Sequence, residues 1–175
     1  MGRSAISIDA LRVQPFDVWD RRWFLLTAGD FSTGDFNTMT VAWGSLGTMW
    51  NLPFAQVVVR PTRHTFGFME RFDTFTLCAF PAPRRKALQL LGSTSGRDGD
   101  KIKAAGLTPC ASTRVDAPSF AEADLVIECR KMYWQDFDPR HFLTPAIDEK
   151  YPERDYHRAY FGEVLAVLAE PTGRQ

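Results

Sequence analysis

Cysteine and histidine are scarce in this chain of 175 residues, three of each, and neither set is spaced for chemistry. Cys78, Cys110 and Cys129 are odd in number and far apart, and Cys78 and Cys129 fall inside strand-like runs. Buried thiols in a reducing compartment are therefore expected rather than disulfides, and nothing near Cys78 in sequence would activate it. His64, His141 and His157 have no metal-ligand spacing with one another or with the cysteines, which argues against a metal site. An excess of either charge is also missing. Lys and Arg total 21 against 21 for Asp and Glu, with no basic run longer than three residues, so no nucleic-acid partner is expected. No run of about 18 apolar residues offers a membrane span. The opening Met1 to Ala10 lacks the apolar centre of a signal peptide. A cytoplasmic protein is the resulting expectation. No glycine-rich fingerprint joins a first strand to a helix, which disfavours a dinucleotide-binding Rossmann fold.

What is present reads as one domain over residues 1–175, without repeats or low-complexity segments. Arg22 to Ala28 alternates, and Thr38 to Gly44 continues in β-branched and aromatic residues after the turn-like Gly29 to Asp35, so the two predict a hairpin. Phe54 to Val59, Thr74 to Phe80, Asp124 to Phe137 and Tyr160 to Leu168 read as further strands. Short helices are predicted over Thr62 to Arg71, from Pro83 to Leu91, and over Asp100 to Ala105, the last stopped by Gly106. Asp138 to Asp155 is the long irregular connection, a kind of segment that often carries ligand contacts. Strands outnumber helices, and the pattern predicts a mainly β protein whose antiparallel sheet is closed or nearly so. Aromatic residues, 13% of the chain, let a small barrel bury much area per residue and offer flat faces for stacking a ring.

Three segments carry chemistry. Arg60-Pro61-Thr62-Arg63-His64-Thr65 follows directly on the apolar run Phe54 to Val59, so two guanidiniums and two hydroxyls stand at the rim of a core. Donors held there can grip a phosphate, although a basic turn that merely caps the next helix fits the same residues. Asn37 to Gly44 places Thr38, Thr40 and Ala42 on one face and Asn37, Met39, Val41 and Trp43 on the other, and either set could line a pocket. Gly92-Ser93-Thr94-Ser95-Gly96-Arg97-Asp98-Gly99-Asp100-Lys101 frees backbone amides to approach an anion and adds serine donors and a lysine charge.

In this order the three segments resemble the flavin reductase-like family of FMN-binding split barrels, over roughly Trp23 to Val167. A fourth piece, Asp155 to Val164, resembles the family's segment in which an Asp-His pair precedes an aromatic residue and a Gly-x-Val strand. Here Tyr156 stands between acid and histidine, and Ser45 to Trp50 replaces the family's small-residue turn. The resemblance implies a homodimeric, six-stranded antiparallel split barrel with short flanking helices and FMN near the subunit interface. It brings Asn37, Thr38, Met39, Thr40, Ala42 and Trp43 to the flavin ring and ribityl chain. Arg60, Pro61, Thr62, Arg63, Thr65, Ser93, Ser95, Gly96 and Lys101 go to the phosphate end, with Arg63 expected to turn outward into a surface salt bridge. His157 and Tyr160 are assigned to the open face of the flavin, where the substrate would lie. His157 could act there or be a structural histidine held by Asp155.

The implied chemistry is hydride transfer from NADH or NADPH to the flavin, which needs two rings held in contact and no catalytic side chain. Three functions remain open at this stage. The first is an NAD(P)H-dependent flavin reductase supplying a monooxygenase or another acceptor. The second is an FMN electron carrier fed by a protein donor, and the third a non-catalytic module that binds flavin or heme.

Overall fold

The computed structural model of the protein describes residues 2–170. In chain order its elements are β1 (Ser4–Ile6), β2 (Phe24–Asp30), β3 (Asp35–Val41), β4 (Gly44–Met49), β5 (Leu52–Val59), α1 (His64–Arg71), β6 (Thr74–Ala79) and α2 (Arg85–Ser93). They continue with α3 (Lys101–Ala104), β7 (Pro109–Cys110), β8 (Ser119–Phe120), β9 (Leu125–Asp136), α4 (Pro145–Asp148) and β10 (Arg158–Ala169). Short 3-10 turns and one π-helical turn, Asp17–Arg22, fill some of the connections. Among the described residues no helix is long and apolar enough to cross a membrane.

The large sheet runs β3-β2-β6-β9-β10-β5-β4, and every pairing in it is antiparallel. β10 organises it. Its first half, Arg158 to Glu163, pairs with β5, while its far end, Val167 to Ala169, pairs with β1, and β9 follows it along the opposite edge. The sheet thus has eight strands rather than the six expected. The two extra strands were hard to read for local reasons. β1 has three residues, and β4 carries Gly44 and Gly47 with little burial. The β4–β5 turn places Trp50 at φ 53° and Asn51 at φ 59°, the pair of left-handed residues that a two-residue hairpin needs. Trp is an unusual occupant of that position, and the sequence offers no glycine to announce the turn.

Two cores result. One fills the barrel with Phe24, Leu26, Val57, Val59, Phe75, Leu77, Ile127, Tyr160 and Val164, and α1 closes it through Phe68 and Met69. The other lies outside, where Leu25, Cys78 and Val126 meet Leu88 and Leu91 of α2. β2 and β6 are consequently buried on both faces, although their sequences alternate like half-exposed strands. Helices over the outer face cover the alternate positions. Cys78 lies in this second layer, and burial pushes its thiol up to about 12, which leaves it inert.

β10 passes close to its neighbours at Gly162, beside a register shift between Phe161 and Gly162. A Cβ there would meet the Phe75 ring at 2.6 Å and Cys129 Cβ at 2.9 Å. Gly162→Ala should lower stability by about 1–3 kcal/mol through overpacking. Urea unfolding measures it, and an unchanged midpoint would show that the core yields at this point.

Candidate functional site

β3 separates core from site. Thr38 turns inward, fully buried, and its hydroxyl bonds Thr27 Oγ1 and the Leu26 carbonyl at 2.9 Å each. Its side chain therefore belongs to the β2–β3 hairpin and not to a ligand site, a correction to the expectation for this residue. Asn37, also buried, donates to Thr65 Oγ1 at 2.7 Å, which ties β3 to the first turn of α1. Thr40 donates to the Leu88 carbonyl at 2.6 Å and so docks α2.

Two cavities open along this strand and share Met39 and Arg63. The first, of about 150 Å³, is walled by Asn37, Thr62, Arg63, His64 and Thr65 on one side and by Leu91 to Arg97 with Lys101 on the other. No acid lines it. Ser95 Oγ accepts from the Arg97 amide at 3.2 Å, which turns the loop back on itself. Gly96 is needed for close approach, because a Cβ there would overlap the Asn37 side chain and crowd His64 at 3.2 Å. Lys101 sits beneath the loop. Its Nζ donates to the carbonyls of Leu91 at 3.1 Å and Thr94 at 2.9 Å, and burial, followed by the Arg63 charge, lowers its pKa to about 8. It props the end of α2 and the loop, as a cation at a helix C-terminus can. Burial, then Arg97 and Lys101, pushes the His64 imidazole below its ordinary value, as an electropositive cavity should.

The second cavity, of about 210 Å³, is lined by Met39, Thr40, Val41, Ala42, Trp43, Val58, Arg60, Arg63 and His157. Trp43 is half exposed, and its ring lies 5.2 Å from that of His157. Arg60 is tied down from three directions. It donates to Asp155 at 2.8 and 3.1 Å, donates to the Lys150 carbonyl at 2.7 Å, and lies over the Tyr151 ring at 4.9 Å. Thr62 also donates to Asp155, at 3.3 Å. The expected division between the arginines is therefore reversed. Arg60 makes the salt bridge, whereas among the described residues the Arg63 guanidinium bonds the Gly92 carbonyl alone, at 3.3 Å, and lines both cavities. Pro61 is exposed and lines neither cavity.

His157 is held by Tyr151, whose hydroxyl lies 2.8 Å from Nδ1, and not by Asp155. Tyr160 does not reach the site. It is 1% exposed inside the barrel, its hydroxyl donates to Glu70 at 2.6 Å, and Arg158 bridges the same Glu70 to Asp136. Alternation along β10 sends Tyr160 inward against Phe66 and Phe161 outward against Phe54 and Tyr133.

His64, Arg97 and Tyr151 are the residues that sequence reasoning passed over. His64 and Arg97 lie inside segments singled out for phosphate chemistry, so their positions carried the signal. Tyr151 lies six residues from His157 across an irregular loop, a spacing with no periodic meaning.

The sequence match gives the family: the model of the flavin reductase like domain covers residues 21–173. The chain belongs to the flavin reductase-like family. Solved structures agree on the fold. An FMN-binding protein from Thermus thermophilus is 19% identical, with 98% of this chain and 85% of that one covered and a TM-score of 0.69. Flavoredoxin of Desulfovibrio vulgaris (Miyazaki F) is 20% identical, with 97% and 79% covered and a TM-score of 0.68. An NADH:FAD oxidoreductase from Streptomyces globisporus C-1027, solved with NAD and FAD fragments, is 17% identical, with 86% and 75% covered and a TM-score of 0.65. No curated protein matches the chain. The split barrel of the flavin reductase-like family is thus the architecture on which both cavities are built.

Burial, followed by the Arg60 charge, lowers the His157 pKa from 6.5 to about 4, against an opposing pull from Asp155. The unfolded imidazole binds its proton at the higher pH. The stability gained from keeping His157 neutral is therefore complete above about pH 6.5 and is lost as pH falls toward 4. Thermal melts across that window should show the wild type losing stability faster than His157→Gln. Parallel curves would place the ordinary histidine pKa in the fold.

Proposed function

We infer that the protein is an FMN-dependent oxidoreductase that takes electrons from NADH or NADPH, most simply as a flavin reductase. The observation that carries this reading is the acid-free cavity of Asn37, Thr62 to Thr65 and Ser93 to Arg97, joined through Met39 and Arg63 to a second cavity faced by Trp43 and His157. A phosphate fits the first. Hydroxyls, loop amides and the guanidiniums of Arg63 and Arg97 suit a dianion, and Gly96 removes the side chain that would fill the cradle. A flat ring fits the second, against Met39 to Trp43. Bound FMN would supply the two-electron chemistry.

The chain's own residues bind, orient and shield. Lys101 and Asn37 hold the phosphate-side loop and α1 in register through the bonds described above. Arg60 anchors the segment that carries Tyr151 and Asp155, and so fixes the His157 wall. His157 is neutral at physiological pH and offers a hydrogen bond rather than a charge to whatever lies in the ring cavity.

FMN should bind more tightly than riboflavin, and Arg63→Ala or Arg97→Ala should each narrow the gap by about 1.5–3 kcal/mol, the worth of a charge-assisted hydrogen bond. Fluorescence titration with both flavins measures it, and equal affinities would remove the phosphate assignment. Anaerobic addition of NADH or NADPH to the FMN-loaded protein should bleach the flavin absorbance. Bound flavin that neither nicotinamide bleaches would instead mark an electron carrier fed by a protein.

A homodimer belongs to the same reading. Trp50, 57% exposed, sits at the tip of the β4–β5 hairpin 5.9 Å from Tyr133, and Met49 and Leu52 are also exposed. Such aromatic clustering on a strand face suits a two-fold interface. Sedimentation at micromolar concentration should give a dimer that Trp50→Lys weakens. A stable monomer with FMN bound would overturn the assignment.

A further inference from the structure

The segment between Asp138 and Asp155 sends one side chain against the ring cavity's histidine: Tyr151, which is 3% exposed. Its phenol ring is packed by Phe142 at 6.0 Å, Tyr156 at 5.0 Å and the Arg60 guanidinium at 4.9 Å. Among the described residues its hydroxyl has one hydrogen-bond partner, His157 Nδ1 at 2.8 Å. A buried phenol must place its proton on an acceptor, and this nitrogen is the acceptor within reach. Donation from Tyr151 leaves Nδ1 bare and puts the imidazole proton on Nε2. Among the described residues Nε2 has no hydrogen-bond partner and no polar side-chain atom is both buried and unpartnered, so Nε2 is accessible. Since His157 lines the ring cavity, that accessible N–H is a donor available to the cavity's occupant.

We propose that Tyr151 is a positioning residue that locks His157 in its Nε2–H form, so that the ring cavity selects an electron donor or acceptor bearing a carbonyl or carboxamide oxygen. The choice of occupant rests on the flavin-dependent reading of the site. The tautomer does not. Burial, then Arg60, holds the imidazole neutral, and burial pushes the Tyr151 phenol above its ordinary value, so both groups keep these protonation states around neutral pH. The charged and titratable groups acting on the pair are Arg60, Asp155 and Arg63. Asp155 is engaged by Arg60 and Thr62 and does not compete for the imidazole.

Long-range proton–nitrogen correlation spectra of the imidazole, recorded on the full chain without added flavin, report the tautomer directly. The wild type should show Nε2–H, and Tyr151→Phe, which keeps the packed ring and removes the hydroxyl, should show a mixture. A protonated Nδ1 in the wild type, or an unchanged tautomer in Tyr151→Phe, overturns the proposal. Should Tyr151→Phe fail to fold, the wild-type spectrum alone decides. With FMN loaded, the same variant should leave flavin affinity unchanged and slow bleaching by NADH or NADPH about 10-fold, the worth of one oriented hydrogen bond. Adding His157→Ala should then cost no more than His157→Ala alone. A changed tautomer with an unchanged bleaching rate overturns the selection for a carbonyl-bearing partner. Absence of bleaching in the wild type would sink the nicotinamide-fed reading and leave the tautomer to be judged by its spectrum.

Discussion

The guanidinium of Arg60 leaves the end of β5 and meets, within hydrogen-bonding distance, a carboxylate and a backbone carbonyl from residues that lie some ninety positions further along the chain. The ring-side cavity depends on this tie. Segment 138–157 makes only a 3-10 turn and the four-residue α4, so its own backbone bonding gives it little reason to adopt one path. Arg60 supplies the reason, with Asp155 on one side, the Lys150 carbonyl on the other and the Tyr151 ring against its flat face. A planar fork with donors along two edges can satisfy all three at once, which an ammonium group could not. With Tyr151 held, His157 is held, and the strand β10 that follows starts from a fixed point against β5.

On the other side of the site the organising group is Lys101. It spends its donors on carbonyls at the end of α2 and in the following loop, so its charge fixes the cradle as well as contributing to its field. The buried polar residues around both cavities follow the same logic. Asn37 with Thr65 and Thr40 with the Leu88 carbonyl are pairs in which one member belongs to β3 and the other to a helix laid on it. Each pair satisfies a buried group and sets a helix in place. The site is thus made by hydrogen bonds that the barrel needs in any case.

Much of the architecture was legible in the residues. The hairpin of β2 and β3, the apolar run of β5, the helix that ends at Arg71 and the stop at Gly106, which adopts φ 64°, all follow from local rules of periodicity and capping. The segments that line the cavities were legible only as a set, because each alone also fits a basic turn or a solvated loop. Less legible were β1 and β4, which are short or glycine-bearing, and the double burial of β2 and β6, which depends on helices that cover their outer faces.

Sequence by itself determined which segments could hold a phosphate and a ring, and in which family such a set occurs, because those are properties of residue types at close spacing. It could not divide work among the members. Thr38, Arg60 and Tyr160 have the side chains a ligand site uses, but the first faces the β2 hydroxyl of Thr27, the second meets Asp155 and the third meets Glu70. Tyr151, which carries no motif, became the partner of His157. Those assignments are made by partners distant in the chain. A hydrogen bond forms with whichever group the fold brings within about 3 Å, and that distance is a property of the tertiary structure alone.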